Sequence, residues 1–175
     1  TFYLQEKIEK FVKNKNFDLD IEIVDDGEQI LDTGGGIFNM IKRTTEENFL
    51  IFNPDTYWND KYIDCIKNME NFYFNNNINN ILLVVNKNLS FDKKLKGDFN
   101  LNKKIIDRKD NRDFIYTGCQ ILNKKIFSKV DESQFSINKL WTQLIEEKKL
   151  FGFESKNRFI HITDIEIYNQ LLKND

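Results

Sequence analysis

Ile81-Leu82-Leu83-Val84-Val85 is an unbroken run of apolar residues, and it predicts a strand that is buried on both faces. Such a run is typical of a parallel sheet covered by helices on both sides. A second apolar strand is predicted over 48–52, where Asn53-Pro54-Asp55 stops it, and a helix is predicted over 60–69 between the two strands. This alternation predicts an α/β fold: a Rossmann-like, mixed but mainly parallel sheet with flanking helices.

The rest of the chain adds further elements of both kinds. Helical periodicity predicts helices over 3–13, 37–42, 137–147 and 166–172. Short apolar runs predict strands over 21–24, 97–101, 114–122 and 158–163. No internal repeat or linker interrupts the chain, so residues 1–175 are predicted to form a single domain.

Composition narrows the class of protein and its partners. Hydrophobic residues make up 40% of the chain and charged residues 31%, as in ordinary globular domains. The net charge of −2, without a basic stripe, gives no indication of a nucleic-acid partner. No apolar run is long enough to span a bilayer and no signal sequence is present, so a cytoplasmic location without membrane contact is expected. Cys65 and Cys119 lie outside any Cys-x-x-Cys pair and are predicted to be free thiols.

Asp32-Thr33-Gly34-Gly35-Gly36 is predicted to be a glycine-rich loop that opens onto the helix over 37–42. Consecutive glycines are entropically costly, and they favour a loop with unusual dihedral angles or close approach of a ligand. The amino terminus of a helix also presents unpaired N–H groups to an anion or a base edge. A tight loop that binds no ligand explains the same pattern.

Asn53-Pro54-Asp55 follows the predicted strand over 48–52. Ligands bind at the carboxyl ends of strands in open α/β sheets, and a carboxylate there can hold Mg²⁺ together with substrate phosphates. The alternative is a Pro-Asp turn in which Asp55 caps the next segment.

Taken together, these segments resemble the sugar-1-phosphate nucleotidyltransferases, in particular the N-acetylmuramate-1-phosphate uridylyltransferase and mannose-1-phosphate guanylyltransferase-like group. The glycine segment resembles that group's loop, and Phe49 to Thr56 resembles its strand ending in Asn-Gly-Asp. Three later segments follow in the expected order: Gly97-Asp98-Phe99, Tyr116 to Leu122 and Phe135 to Trp141.

The resemblance implies formation of a nucleotide-sugar from a nucleoside triphosphate and a sugar 1-phosphate, with release of pyrophosphate and Mg²⁺ as cofactor. It implies that Asp55 is catalytic and holds the metal, with His161 at the position where members often have the second metal carboxylate. The nucleotide-binding residues implied are Thr33, Gly34, Gly35 and Gly36, and the sugar-phosphate-binding residues are Gly97, Asp98, Thr117 and Gly118.

The sequence also departs from that family's pattern. Nothing in it matches the Gly-x-Gly-x-Arg signature of the triphosphate-binding loop, and Pro54 replaces the usual glycine beside the metal aspartate. The first strand-loop-helix unit is therefore expected to be missing. We expect the chain alone to be inactive or weakly active, and to pair with a separate N-terminal chain or with itself through an open sheet edge.

Two other functions are compatible with the same residues. One is a metal-dependent glycosyltransferase-like domain, which would also place a metal-binding aspartate after a strand. The other is a non-catalytic nucleotide-sugar-binding or regulatory module that pairs with a catalytic partner; Pro54, His161 and the absent loop favour it. The sequence does not identify the sugar or the base.

Overall fold

The computed structural model describes residues 1–109 and 111–173. Its contacts group into two compact units, of which one contains residues 1–46 and 127–141 and the other residues 47–126 and 142–175. The helices are α1 (Gln5–Asn14), α2 (Asp32–Ile41), α3 (Lys61–Asn75), α4 (Ile137–Glu146) and α5 (Ile165–Leu172). None of these helices is long and apolar enough to cross a membrane.

The second unit contains a six-stranded sheet in the order β1-β5-β2-β6-β4-β3. Its strands are β1 (Asn48–Phe52), β2 (Asn80–Asn86), β3 (Asn100–Asn102), β4 (Ile105–Asp107), β5 (Phe114–Asn123) and β6 (Phe151–Ser155). The sheet is mixed, as predicted. Only β2 and β6 pair in parallel, however, whereas β5 runs antiparallel to both β1 and β2. Parallel pairings are therefore fewer than the apolar run in β2 suggested.

Strand β2 forms the centre of the core, as predicted. Every residue from Ile81 to Val85 is fully buried. Helix α3 covers one face of the sheet with the buried side chains of Tyr62, Met69 and Tyr73. On a separate cluster, Val85 packs with other buried apolar residues of the same unit. The helix predicted over 60–69 is thus present and continues to Asn75 because its apolar periodicity continues.

Two predicted strands are absent as strands. Residues 21–24 lie outside any ladder, and residues 158–163 form only two isolated bridges, at Phe159 and His161. A short apolar run becomes a strand only where a partner edge is available, which a local pattern does not specify. Conversely, the sequence analysis missed β4 and β6, although the apolar Phe151 and Phe153 of β6 alternate in the manner of a strand.

In the first unit, the predicted glycine loop is helical, because Gly34, Gly35 and Gly36 lie inside α2. The N–H groups of Gly34 and Gly35 donate to the carbonyl of Phe135, at 2.9 and 3.0 Å. A Cβ at Gly34 would overlap the Phe135 ring, and one at Gly35 would overlap the carbonyl oxygen of Ser133. These two glycines therefore allow the segment 133–137 to approach the first turn of the helix.

Two adjacent substitutions test this packing role. Gly35→Ala should destabilise the protein by roughly 1–3 kcal/mol, because the added methyl group overlaps a backbone oxygen. Gly36→Ala is the matched control: its Cβ would meet nothing within 4 Å, so alanine should stabilise the helix by about 0.5–1 kcal/mol. Urea denaturation of both variants measures the difference, and equal free energies of unfolding would contradict the packing role.

Candidate functional site

A bulge in β5 forms the base of the candidate site. Leu82 of β2 pairs with Gln120 of β5, and Val84 pairs with Tyr116, so that one residue of β2 faces three of β5. The surplus residues leave the regular ladder, and bulges of this kind re-aim the chain at sheet edges and active sites. Gly118 lies within the bulge at φ +88°, a left-handed conformation that favours glycine.

The bulge holds the loop that follows β1. The N–H of Asn53 donates to the carbonyl of Gly118 at 2.7 Å, and the Thr56 hydroxyl donates to the carbonyl of Thr117 at 2.8 Å. A Cβ on Gly118 would lie only 2.8 Å from Cβ of Asn53. Both the conformation and the close approach therefore require glycine at this position, and the loop with Asp55 lies directly against it.

A second segment fixes the other side of the same loop. The N–H of Tyr57 donates to the carbonyl of Ile160 at 2.9 Å, and the N–H of Ile162 donates to the carbonyl of Asp55 at 2.8 Å. Thr56 and His161 consequently face each other in an antiparallel bridge. Asp55 is thus held by its backbone on both sides, which leaves its carboxylate free of backbone constraints at the carboxyl end of β1.

His161 lies beside that carboxylate. Its Nδ1 is 3.6 Å from Oδ1 of Asp55, and the side chains of His161 and Asp55 are 26% and 48% exposed. Nδ1 itself is buried and makes no hydrogen bond within the described residues. The imidazole stacks on the ring of Phe159, with centroids 6.0 Å apart, so it is oriented by packing.

The donor set fits a metal that shares its ligands with a substrate. No group of three or more His, Cys, Asp or Glu side chains that could hold a metal ion is present among the described residues. An all-protein metal cage is therefore not supported by these residues. Mg²⁺ commonly uses one or two carboxylates and completes its shell with waters and substrate phosphates, and Asp55 is compatible with that arrangement.

Asp98 is a second acidic side chain of the same unit. Its Oδ2 accepts the N–H of Tyr116 at 2.9 Å. Burial raises the pKa of the Asp98 carboxyl, and this is only partly opposed by the Tyr116 hydrogen bond and by the charges of Arg108 and Arg112. The charge of His161 acts in the same direction as the arginines, which places that side chain within electrostatic range of Asp98.

Three other predicted site residues have structural contacts of their own. A Cβ on Gly97 would overlap the backbone of Arg112. Thr117 is fully buried, and its hydroxyl donates to the carbonyl of Leu83 at 2.9 Å, so its side chain ties the bulge to β2. Thr33 accepts the N–H of Ile137 at its hydroxyl. These contacts explain the residues locally and leave their predicted ligand roles as predictions.

The structure thus brings most of the predicted site residues into the unit that contains the sheet: Asp55, Gly97, Asp98, Thr117, Gly118 and His161. Thr33 to Gly36 lie in the other unit, which has its own open cavity of about 370 Å³ beside α2. This cavity is lined by Asp25, Asp26, Gly27, Leu31, Gly35, Phe38, Asn39, Lys42 and Ser133.

Sequence reasoning missed the two residues that hold the loop, Asn53 and Thr56. Asn53 had been assigned only to the turn that ends β1, yet its N–H and Cβ both contact Gly118. The available signal was the single glycine in the middle of a long apolar strand, since such a glycine often marks a bulge or a close backbone approach.

The raised pKa of Asp98 predicts a pH-dependent stability difference. A carboxyl whose pKa is higher in the folded state costs stability as pH rises through the interval from its ordinary value of 3.8 to its folded value. Asp98→Asn removes this loss, and its amide oxygen can still accept the Tyr116 N–H. The variant should therefore gain stability relative to the parent as pH rises through that interval.

Urea denaturation of the parent and Asp98→Asn at several pH values measures this difference. Asp60→Asn, a change at an exposed carboxylate, is the control. A parallel pH dependence for Asp98→Asn and the parent would show that Asp98 is not the group responsible.

Comparison with known proteins identifies structures but no sequence relatives. No family model matches the chain, and no curated protein sequence matches it. HddC from Yersinia pseudotuberculosis, solved in complex with GMP-PN, is 23% identical over 98% of this chain and 75% of its own, with a TM-score of 0.72. The inositol-1-phosphate CTP transferase from T. maritima is 16% identical over 98% of this chain and 71% of its own, with a TM-score of 0.71.

A UDP-glucose pyrophosphorylase complexed with UDP-glucose is 16% identical over 84% of this chain and 64% of its own, with a TM-score of 0.60. Identities of this size are evidence for the fold alone. The predicted nucleotide-diphospho-sugar transferase-like architecture is confirmed: the chain has the fold of solved sugar-1-phosphate nucleotidyltransferases.

Proposed function

We propose that this chain binds a nucleotide-sugar and takes part in its formation from a nucleoside triphosphate and a sugar 1-phosphate, with release of pyrophosphate. The observation that carries the proposal is the placement of Asp55. Its backbone is fixed by β5 on one side and by Ile162 on the other, and its half-exposed carboxylate lies at the carboxyl end of β1. In open α/β sheets, this end of the strands is where ligands bind.

The structural neighbours support the same reaction class. Their names describe a CTP transferase acting on inositol 1-phosphate and a pyrophosphorylase bound to UDP-glucose. Because identity is low, these names supply the class of substrate and leave the base and the sugar open.

A bound Mg²⁺ would neutralise charge on the reacting phosphates, which is a large part of what phosphoryl-type transfer requires. Asp55 would hold this ion, and the unpaired Nδ1 of His161, 3.6 Å from the carboxylate, would be the second protein donor. Two protein donors leave the remaining positions to water and phosphate, as Mg²⁺ prefers.

The other predicted residues would position the two substrates. We assign the sugar phosphate to Gly97, Asp98, Thr117 and Gly118, and the nucleotide to Thr33, Gly34, Gly35 and Gly36. Asp98 is the best placed side chain of the first group, because its carboxyl can accept sugar hydroxyls while the Tyr116 N–H holds it in place. Thr117 and Gly118 would act through the shape of the bulge, since the Thr117 hydroxyl is already bonded to Leu83.

Transfer by this chain alone should be slow. Its 175 residues contain no Gly-x-Gly-x-Arg segment to bind the triphosphate, and Pro54 has no N–H beside Asp55. Loss of donors that stabilise developing charge typically reduces rates by orders of magnitude. The same two features favour a second candidate function, a non-catalytic nucleotide-sugar-binding module that acts with a catalytic partner.

The metal role predicts a ligand-dependent rise in thermal stability. Mg²⁺ or Mn²⁺ together with UDP-glucose or GDP-mannose should raise the melting temperature, because a ligand that binds only the folded state stabilises it. Asp55→Asn should remove this rise. Asp60→Asn, at another exposed carboxylate that makes no side-chain cap hydrogen bond, should retain it.

Differential scanning fluorimetry of the three proteins, with and without metal, provides the measurement. An equal rise in the parent and in Asp55→Asn would remove the metal role from Asp55. A pyrophosphate-release assay with nucleoside triphosphate and sugar 1-phosphate then separates the two candidate functions. Slow, Asp55-dependent release supports the transferase, and binding without any release supports the module.

A further inference from the structure

Strand β1 lies at one end of the sheet and pairs only with β5 among the described strands. The N–H of Asn53 donates to Gly118, and the carbonyl of Glu47 accepts the N–H of Lys124 at 2.8 Å. Backbone groups alternate in direction along a strand, so the odd-numbered residues here point toward β5. The groups that point away from it belong to Asn48, Leu50 and Phe52.

This outer edge lacks the features that usually protect an edge strand. Residues 48–52 contain no charged residue and no proline, and their pairing with β5 runs without a bulge. The side chains of Leu50 and Phe52 are 46% and 44% exposed. A flat apolar edge of this kind is a template for pairing with another strand.

Helix α3 extends the same surface. The ring of Phe72 packs against Phe153 of β6, so that side of the helix faces the far strands. The opposite side therefore faces the β1 edge. It carries a stripe of exposed side chains at helical spacing: Ile63, Lys67, Glu70 and Phe74. We call these four residues together with Asn48, Leu50 and Phe52 the β1–α3 face.

The helix and the strand run in opposite directions along this face. Near the end of β1, Trp58 contacts both Phe52 and Tyr62, with ring centroids 5.1 and 5.0 Å apart. Near its start, the Tyr73 hydroxyl donates to Oδ1 of Asn48 at 2.7 Å. The middle of the α3 stripe therefore lies level with Leu50, the middle of the strand.

We propose that the β1–α3 face binds a second copy of this chain through a two-fold axis at Leu50. Antiparallel pairing about this axis sets Leu50 opposite Leu50 of the second copy and Phe52 opposite Asn48. The outward N–H and C=O groups of these residues would then be paired, and the two sheets would become continuous.

The same axis makes the helical stripe complementary to itself. It brings Ile63 toward Phe74 of the second copy and Lys67 toward Glu70 of the second copy, and symmetry repeats each pair. Apolar side chains thus face apolar ones, and opposite charges face each other, which is what an isologous interface requires. An unrelated strand could satisfy the backbone of β1, but nothing would match its charges to Lys67 and Glu70. The charge pattern therefore favours a second copy.

Sedimentation equilibrium tests the proposal on the full chain. The parent should associate to twice its mass of 21.0 kDa. Lys67→Glu should weaken the dimer by about tenfold, because symmetry places two like-charged pairs in the interface. Glu70→Lys should do the same, and the double variant Lys67→Glu/Glu70→Lys should restore the parent's dissociation constant. Asn68→Glu, which adds charge on the other exposed side of α3, is the control and should leave the dimer unchanged.

A cross-link tests the strand pairing separately. Directly opposite residues of antiparallel strands have Cβ atoms roughly 4.5–5.5 Å apart, so Leu50→Cys should form an intermolecular disulfide under oxidising conditions. The parent, whose cysteines are Cys65 and the buried Cys119, is the control. A parent that remains monomeric at all concentrations would overturn the proposal. So would a dimer that the single charge reversals leave intact, or one that the double variant fails to restore.

Discussion

The hydrogen bond from Asn53 to the carbonyl of Gly118, 2.7 Å long, links the central strand of the sheet to the loop that carries Asp55. It forms because β5 contains more residues than β2 in the region of the bulge, and because Gly118 adopts a left-handed conformation there. Thr117 closes the bulge by donating to β2, and Thr56 reaches back to it. The position of the candidate metal ligand is therefore a consequence of strand registration within the core.

Much of this fold is readable from local pattern. The unbroken apolar run in β2 identified the buried centre of the sheet, and helical periodicity identified α3 and α4. The Asn53-Pro54-Asp55 segment marked both the end of β1 and the candidate site, because an apolar strand stopped by polar turn residues is a common sign of a ligand-binding edge. Asp55 and His161 were both singled out before the structure placed Nδ1 of His161 3.6 Å from Oδ1 of Asp55.

The rest depends on contacts that sequence pattern does not contain. Residues 21–24 and 158–163 have strand-like composition but lack a ladder, because pairing partners are set by topology. The glycines of α2 predicted a loop on conformational grounds, whereas the structure uses Gly34 and Gly35 for close approach of the chain near Phe135. The antiparallel course of β5 likewise could not be read from its own residues. In each case a long-range contact decided between structures that local propensity leaves equally favourable.

The account depends on Asp55 being the side chain through which the chain holds a divalent cation. Paramagnetic broadening of backbone amide NMR signals by Mn²⁺, in the presence of UDP-glucose or GDP-mannose, measures this most directly. We predict that the amides of Asp55, Thr56 and Ile162 broaden first, since their backbones form one hydrogen-bonded cluster around the carboxylate. Asp55→Asn should abolish the effect. Broadening that begins elsewhere in the chain, or that persists in Asp55→Asn, would contradict the account.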